Sequence, residues 1–146
     1  MRARRAASLA LLVAGVVATA VPPAPLPPAR AEHEVAYRYT VLGYVTDAQN
    51  RGRPGVHLEV VREKTGYAYR DETDADGFYL IVVRLGDESA GERLRLSAEA
   101  QTLTVTARFD PADHDTERGT RVDWNGGRPQ ESPSAFVDTL KRYLAK

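Results

Sequence analysis

The sequence of 146 residues has no cysteine, one methionine, one tryptophan, three histidines and only three lysines against seventeen arginines. Without cysteine there is no disulfide, no thiolate zinc site, no cysteine nucleophile and no lipidated N-terminal cysteine, so stability must come from burial. An excess of either charge is also missing, with twenty basic and twenty acidic side chains. That balance is uneven along the chain, because Arg2, Arg4, Arg5 and Arg30 all lie in the first 31 residues. The remainder carries sixteen basic and twenty acidic groups, a net charge of −4, which excludes a basic nucleic-acid-binding surface. No apolar run reaches the ~20 residues of a membrane-spanning helix. The longest, residues 6–21, is broken only by Ser8, Gly15 and Thr19.

What is present at the N-terminus is a basic stretch, residues 1–5, followed by that short apolar run. This is the physical pattern of a secretory signal peptide, in which positive charge stays on the cytoplasmic side and a short apolar helix presents its end to a peptidase. Two small-x-small sites compete, Ala18-Thr19-Ala20 and Ala29-Arg30-Ala31. Pro22 stands just after the first, which favours the second, leaving Glu32 as the new N-terminus. The expected organisation is a signal peptide over residues 1–31, one domain over 37–125 and a C-terminal helix over 132–146, in a periplasmic or secreted protein. Contact with a membrane is expected only through an uncleaved signal or a peripheral helix.

From Tyr37 onward the dominant period is two. Val41, Gly43 and Val45 alternate with Leu42, Tyr44 and Thr46; Leu94, Leu96 and Ala98 alternate with arginines, Ser97 and Glu99; Leu103, Val105 and Ala107 alternate with Thr104, Thr106 and Arg108. Such alternation marks strands with one buried and one wet face. Turn clusters at 47–55, 74–77, 86–92 and 110–119 separate about seven strands, a spacing that argues for an all-β fold of two sheets packed face to face. Val60, Tyr79, Ile81, Leu96 and Val105 are the expected core.

One strand departs from the pattern. Phe78-Tyr79-Leu80-Ile81-Val82-Val83 is apolar on both faces, so its outer face must be covered or sticky. The tail offers a cover: Ser132-Pro133 supplies a helix start, and Phe136, Leu140, Tyr143 and Leu144 then recur at helical spacing as a contact face. A lone helix this short is marginal in water, so it is expected to dock on the sheet that holds the Phe78 strand.

Three segments in order carry a family resemblance: Gly43-Tyr44-Val45-Thr46-Asp47 at a strand end, Pro54-Gly55-Val56 opening the next strand, and Thr73-Asp74-Ala75-Asp76-Gly77-Phe78-Tyr79 at a later hairpin. They resemble the carboxypeptidase regulatory-like domain of exported bacterial proteins, by motif over residues 39–83 and by pattern over 93–109. The resemblance implies a transthyretin-like (prealbumin-like) β-sandwich and a non-catalytic accessory role. The transthyretin-like fold also includes 5-hydroxyisourate hydrolase, but that enzyme's C-terminal Tyr-Arg-Gly-Ser is replaced here by Tyr143-Leu144-Ala145-Lys146.

Candidate chemistry is sparse. Asp74-x-Asp76-Gly77 looks like part of a calcium loop, yet the apolar residues after it supply no ligands, and turn formation accounts for it. Asp110, Asp113, His114 and Asp115 gather three carboxylates and an imidazole in one loop, ligands that suit a weak cation site, but turn formation and solubility are the preferred account of an Asp-rich loop. No serine carries a nucleophile-elbow motif. The expectation is therefore no enzyme, no metal and no cofactor, and a module that meets a protein partner in the cell envelope. The alternative is a carbohydrate-binding module, using Tyr67 and Tyr69 on one strand face and Trp124 at the periphery as stacking rings.

Overall fold

The computed structural model of the chain describes residues 35–146; the expected signal peptide at residues 1–31 lies outside them. Eight strands follow a short 3-10 turn: β1 (Arg38–Thr46), β2 (His57–Arg62), β3 (Ala68–Glu72), β4 (Phe78–Arg84), β5 (Arg93–Ala98), β6 (Gln101–Thr106), β7 (Gly119–Asn125) and β8 (Arg128–Glu131). They form two sheets, ordered β4-β1-β7-β8 and β3-β2-β5-β6. Every neighbouring pair is antiparallel except β1 and β7.

The alternating residues of both sheets meet in one core, in which Tyr39, Val41, Tyr79 and Trp124 of the first sheet face Leu58, Val60, Leu96 and Val105 of the second. All five expected core residues are buried there. The expectation of about seven strands is corrected to eight. β8 has no alternation and contains Pro129, which reads against a strand, but as a four-residue edge it tolerates the missing donor. It is set by Gly126-Gly127, both at positive φ (55° and 81°), the geometry of a tight hairpin turn.

The Asp74 turn positions β4. The Asp74 carboxylate accepts the amides of Asp76 and Phe78, each at 2.9 Å, and Gly77 turns at φ 78° with its Cα against the backbone of Val45 and Arg53. The Asp74 carboxylate is thereby explained by the hairpin, whereas the Asp76 side chain points to Lys146 Nζ at 4.0 Å.

The tail packs as its period implies. A 3-10 turn (Pro133–Ala135) leads into helix α1 (Phe136–Leu144), and Phe136 and Leu140 bury against Leu42 of β1 and Phe78 of β4 on the outer face of the first sheet. Arg121, outward on β7, ties the helix down by donating to Thr139 Oγ1 at 3.0 Å while pairing with Asp123. Asp138 in the first turn and Lys141 and Arg142 in the last suit the helix dipole. The helix start expected at Ser132-Pro133 is a 3-10 turn rather than α-helix: the Ser132 side chain makes no capping bond, and its carbonyl accepts the Ala135 amide at 3.1 Å.

A candidate interaction groove

β4 is an edge strand, and its three apolar outward side chains meet different fates. Phe78 and Leu80 lie beneath α1, whereas Val82 is 43% exposed. The free edge of β4 is partly closed by carboxylates: Asp74 takes the Phe78 amide, and Asp71 of β3 takes the Leu80 amide at 2.9 Å. Beyond Leu80 this protection ends, and the edges of β3 and β4 leave a groove of about 770 Å³ lined by Tyr37, Arg38, Tyr67, Tyr69, Val82 and Arg84.

A second hollow of about 200 Å³ adjoins it under the last turn of α1, lined by Leu80, Leu140, Tyr143, Leu144 and Glu117. The two share Arg38 and Val82. Among the described residues, the exposed large apolar side chains are Tyr67 (66%), Val82, Tyr143 and Leu144 (70%); Tyr67 lines the first hollow, Tyr143 and Leu144 the second, and Val82 stands between them as a wall of both. Tyr143 is partly engaged, its ring stacked on Phe78 at 4.9 Å between centroids. Leu144 was expected on the sheet with Phe136 and Leu140; as the last residue of the helix it is instead mostly exposed, at the mouth of this hollow.

The walls are held from behind. Arg38 donates to both carboxylate oxygens of Glu117. Arg62 makes two bonds to Glu92 (2.7 and 2.9 Å) and donates to the Arg84 carbonyl at 3.2 Å. The Arg62 guanidinium holds the Glu92 carboxyl below the usual carboxylate range, so this pair stays ionised at the base of the Tyr69 wall. The groove is thus apolar and aromatic along its floor, with guanidinium groups at one rim.

Of the three aromatic residues expected at a binding surface, Tyr67 is open, Tyr69 is half-buried against the core, and Trp124 is only 1% exposed. Trp124 is corrected to a core residue: it alternates with outward Asp123 on β7, an inner strand, so its ring points between the sheets. Val82, Tyr37, Arg38 and Arg84 were missed, although the alternation of β4 places Val82 on the same side as Phe78 and Leu80.

The Asp-rich loop before β7 has a structural role. Arg118, buried at 3% exposure, donates to Asp87 Oδ1 at 2.9 Å and to the carbonyls of Ala36 and Asp113, with Phe109 against its guanidinium. His114 Nε2 sits 2.9 Å from Asp87 Oδ2 and 3.0 Å from the Pro111 carbonyl, so it clasps the loop to residue 87. Among the described residues no group of three or more His, Cys, Asp or Glu side chains is placed to hold a metal, and no helix is long and apolar enough to cross a membrane.

Asp113 makes this loop sensitive to acid. Bonds from the Thr116 hydroxyl, the Thr116 amide and the Asp115 amide lower its pKa to about 2. A depressed carboxylate stabilises the fold above its ordinary value of 3.8 and loses that contribution as pH falls towards about 2. Asp113→Asn is therefore expected to lower the melting temperature at pH 7 and to flatten its decline between about pH 4 and 2, as thermal melts across that range will read.

No protein-family profile matches the chain, and no curated protein matches it in sequence. Solved structures that resemble it include the dioxygenase domain of a dioxygenase and carbohydrate-binding protein fusion from Streptomyces sp. SirexAA-E, 20% identical over 66% of this chain and 76% of that one, with a TM-score of 0.39. The 3-chlorocatechol 1,2-dioxygenase from Rhodococcus opacus 1CP is 12% identical over 64% of this chain and 61% of its own, at 0.42. A 9R-lipoxygenase from Cyanothece PCC8801 is 16% identical, with 64% of this chain covering 17% of that one, at 0.38. None reaches a TM-score of 0.5, and no residue role is carried over from them.

Proposed function

We propose that this chain is a non-catalytic, exported binding module of the cell envelope, a transthyretin-like β-sandwich of the carboxypeptidase regulatory-like kind that holds a protein partner in the groove between β3, β4 and α1. The observation that carries the reading is the gathering of Tyr67, Val82, Tyr143 and Leu144 in two adjoining hollows that meet at Val82, while the outer face of the β3-β2-β5-β6 sheet presents Glu59, Arg70 and Arg95. Contiguous exposed apolar surface with a polar rim is the usual mark of a protein contact. The partner that fits is a segment with aliphatic or aromatic side chains for the floor.

A glycan is the second reading, favoured by Tyr37, Tyr67 and Tyr69 lining one groove with two arginines. It fits less well, because the floor continues through Val82 and Leu80 to Leu140, aliphatic surface that does not stack on a sugar ring.

The two are separated by purifying the protein from its own envelope. The recovered chain is expected to begin at Glu32 and to bring down one partner in near-equal amount. Val82→Glu is expected to lose that partner at least tenfold with an unchanged melting temperature, since it places a charge on the groove floor of an already exposed position. Retention of the partner by Val82→Glu contradicts the reading; polysaccharide binding lost only in Tyr67→Ala supports the glycan instead.

A further inference from the structure

The four edge strands differ in how they are guarded. β3 presents Arg70 and Glu72 along its free side, β4 is capped by Asp71 and Asp74, and β8 is four residues long with Pro129 in it. β6, Gln101-Thr102-Leu103-Thr104-Val105-Thr106, has no charge, no proline and no glycine. Charge, proline and short length are among the means by which edges are kept from pairing, and β6 has none of these three, although β8 of the other sheet lies near it.

Its register fixes which groups it offers. Ala98 and Gln101 close the two-residue turn to β5, and just past the strand Ala107 donates to the Glu92 carbonyl at 2.8 Å, so the odd-numbered residues bond to β5. Thr102, Thr104 and Thr106 therefore direct their N–H and C=O groups away from the sheet, and none of these has a hydrogen-bond partner among the described residues.

We infer that β6 is a dimerisation edge, pairing antiparallel with β6 of a second copy of this chain across a two-fold axis at Thr104. A closed two-fold needs a self-complementary surface, and β6 supplies one. With Thr104 opposite its own counterpart, Thr102 and Thr106 pair reciprocally, giving six N–H···O bonds from the six unpartnered groups of each copy. Threonines then face threonines on the outer side, and Leu103 neighbours Val105 on the inner side. Being uncharged, the strand brings no like charges together. Charge complementarity lies at its ends, where the same register carries exposed Arg108 alongside the Glu99-Ala100 turn of the second copy. Glu99 is held there by Arg53 in a two-bond pair (2.6 and 3.1 Å) despite its left-handed φ of 53°. The result is one continuous eight-stranded sheet, with the β3 and β4 grooves left open at its two far ends.

The absence of cysteine makes the test direct. In the full chain, expressed with its own N-terminal segment, Thr104→Cys is expected to form a disulfide-linked dimer on mild oxidation, because directly opposed Cα atoms in such a pair lie about 5.5 Å apart, within disulfide range. Glu72→Cys, on the guarded β3 edge, is expected to stay monomeric under the same oxidation. Light scattering of the unaltered protein is expected to show the mass doubling with concentration. Thr104→Pro, which removes an N–H that β5 does not use, is expected to abolish that doubling without lowering the melting temperature. A monomer mass at every concentration, cross-linking of Thr104→Cys no faster than of Glu72→Cys, or a folded Thr104→Pro that still doubles in mass each overturns the proposal.

Discussion

Replacing Gly43 with alanine is expected to cost more than the roughly 3 kcal/mol at the top of the usual overpacking range. A Cβ at this position would lie 1.9 Å from the Val122 carbonyl oxygen and 2.7 Å from its carbonyl carbon. Those are backbone atoms of β7, so no rotamer change relieves the contact. The reason for the close approach is a break in the parallel ladder. β1 pairs with β7 at residues 40–42 and again at 45–46, but not between. Across the gap, side chains supply the missing bonds: the Tyr79 hydroxyl donates to the Val122 carbonyl at 2.6 Å, and Asp123 Oδ1 accepts the Tyr44 amide at 2.9 Å. Burial pushes the Tyr79 hydroxyl pKa up, so it remains a donor throughout the working range. Tyr79→Phe leaves a buried carbonyl unpaired and is expected to cost about 1–3 kcal/mol. Urea unfolding of both variants reads these losses; a Gly43→Ala protein as stable as its parent means that β1 and β7 do not approach as described.

Removing the helix is the second large change. Phe136 is 2% exposed, and its ring sits where a Cβ on Gly119 would be, 2.4 Å away. Phe136→Ala is expected to cost about 3 kcal/mol, the lower end of the range for buried phenylalanine because the cavity opens at the sheet surface. For a domain of this size that lowers the melting temperature by roughly 10–20 °C. A chain ending at Ser132 keeps β8 but uncovers Leu42, Phe78, Leu80 and part of Tyr44. It is expected to aggregate on purification. If it stays soluble with an unchanged melting temperature, α1 is a free element rather than a cover.

The strands and the two-sheet arrangement were legible because one face of each strand is wet, so period-two alternation was written into the residues themselves. The doubly apolar Phe78 strand and the helical spacing of Phe136 and Leu140 pointed at each other for the same reason: two apolar stripes in a chain this small must meet. β8 was not legible, since a short edge paired on one side needs no alternation and can carry Pro129. Trp124 was misread because its immediate neighbours, Asp123 and Asn125, are polar, while its burial follows from β7 lying inside the sheet, a long-range fact. The groove depends on a similar long-range fact. Tyr67 and Val82 are fifteen positions apart in sequence, and only the approach of β3 to β4 makes them one surface. Trp124 thus goes inward where its polar neighbours suggest the periphery, and Val82 is the part of the doubly apolar strand's outer face that the helix leaves open.

The central claim is that the Val82 groove is where this protein meets its partner. A photo-crosslinking amino acid at Val82, with Arg95 on the bare sheet face as the control position, tests it in intact cells. A discrete protein adduct from position 82, absent from position 95 and lost when Leu144→Asp is added, is the expected result. Equal adducts from both positions, or none from position 82, contradict it.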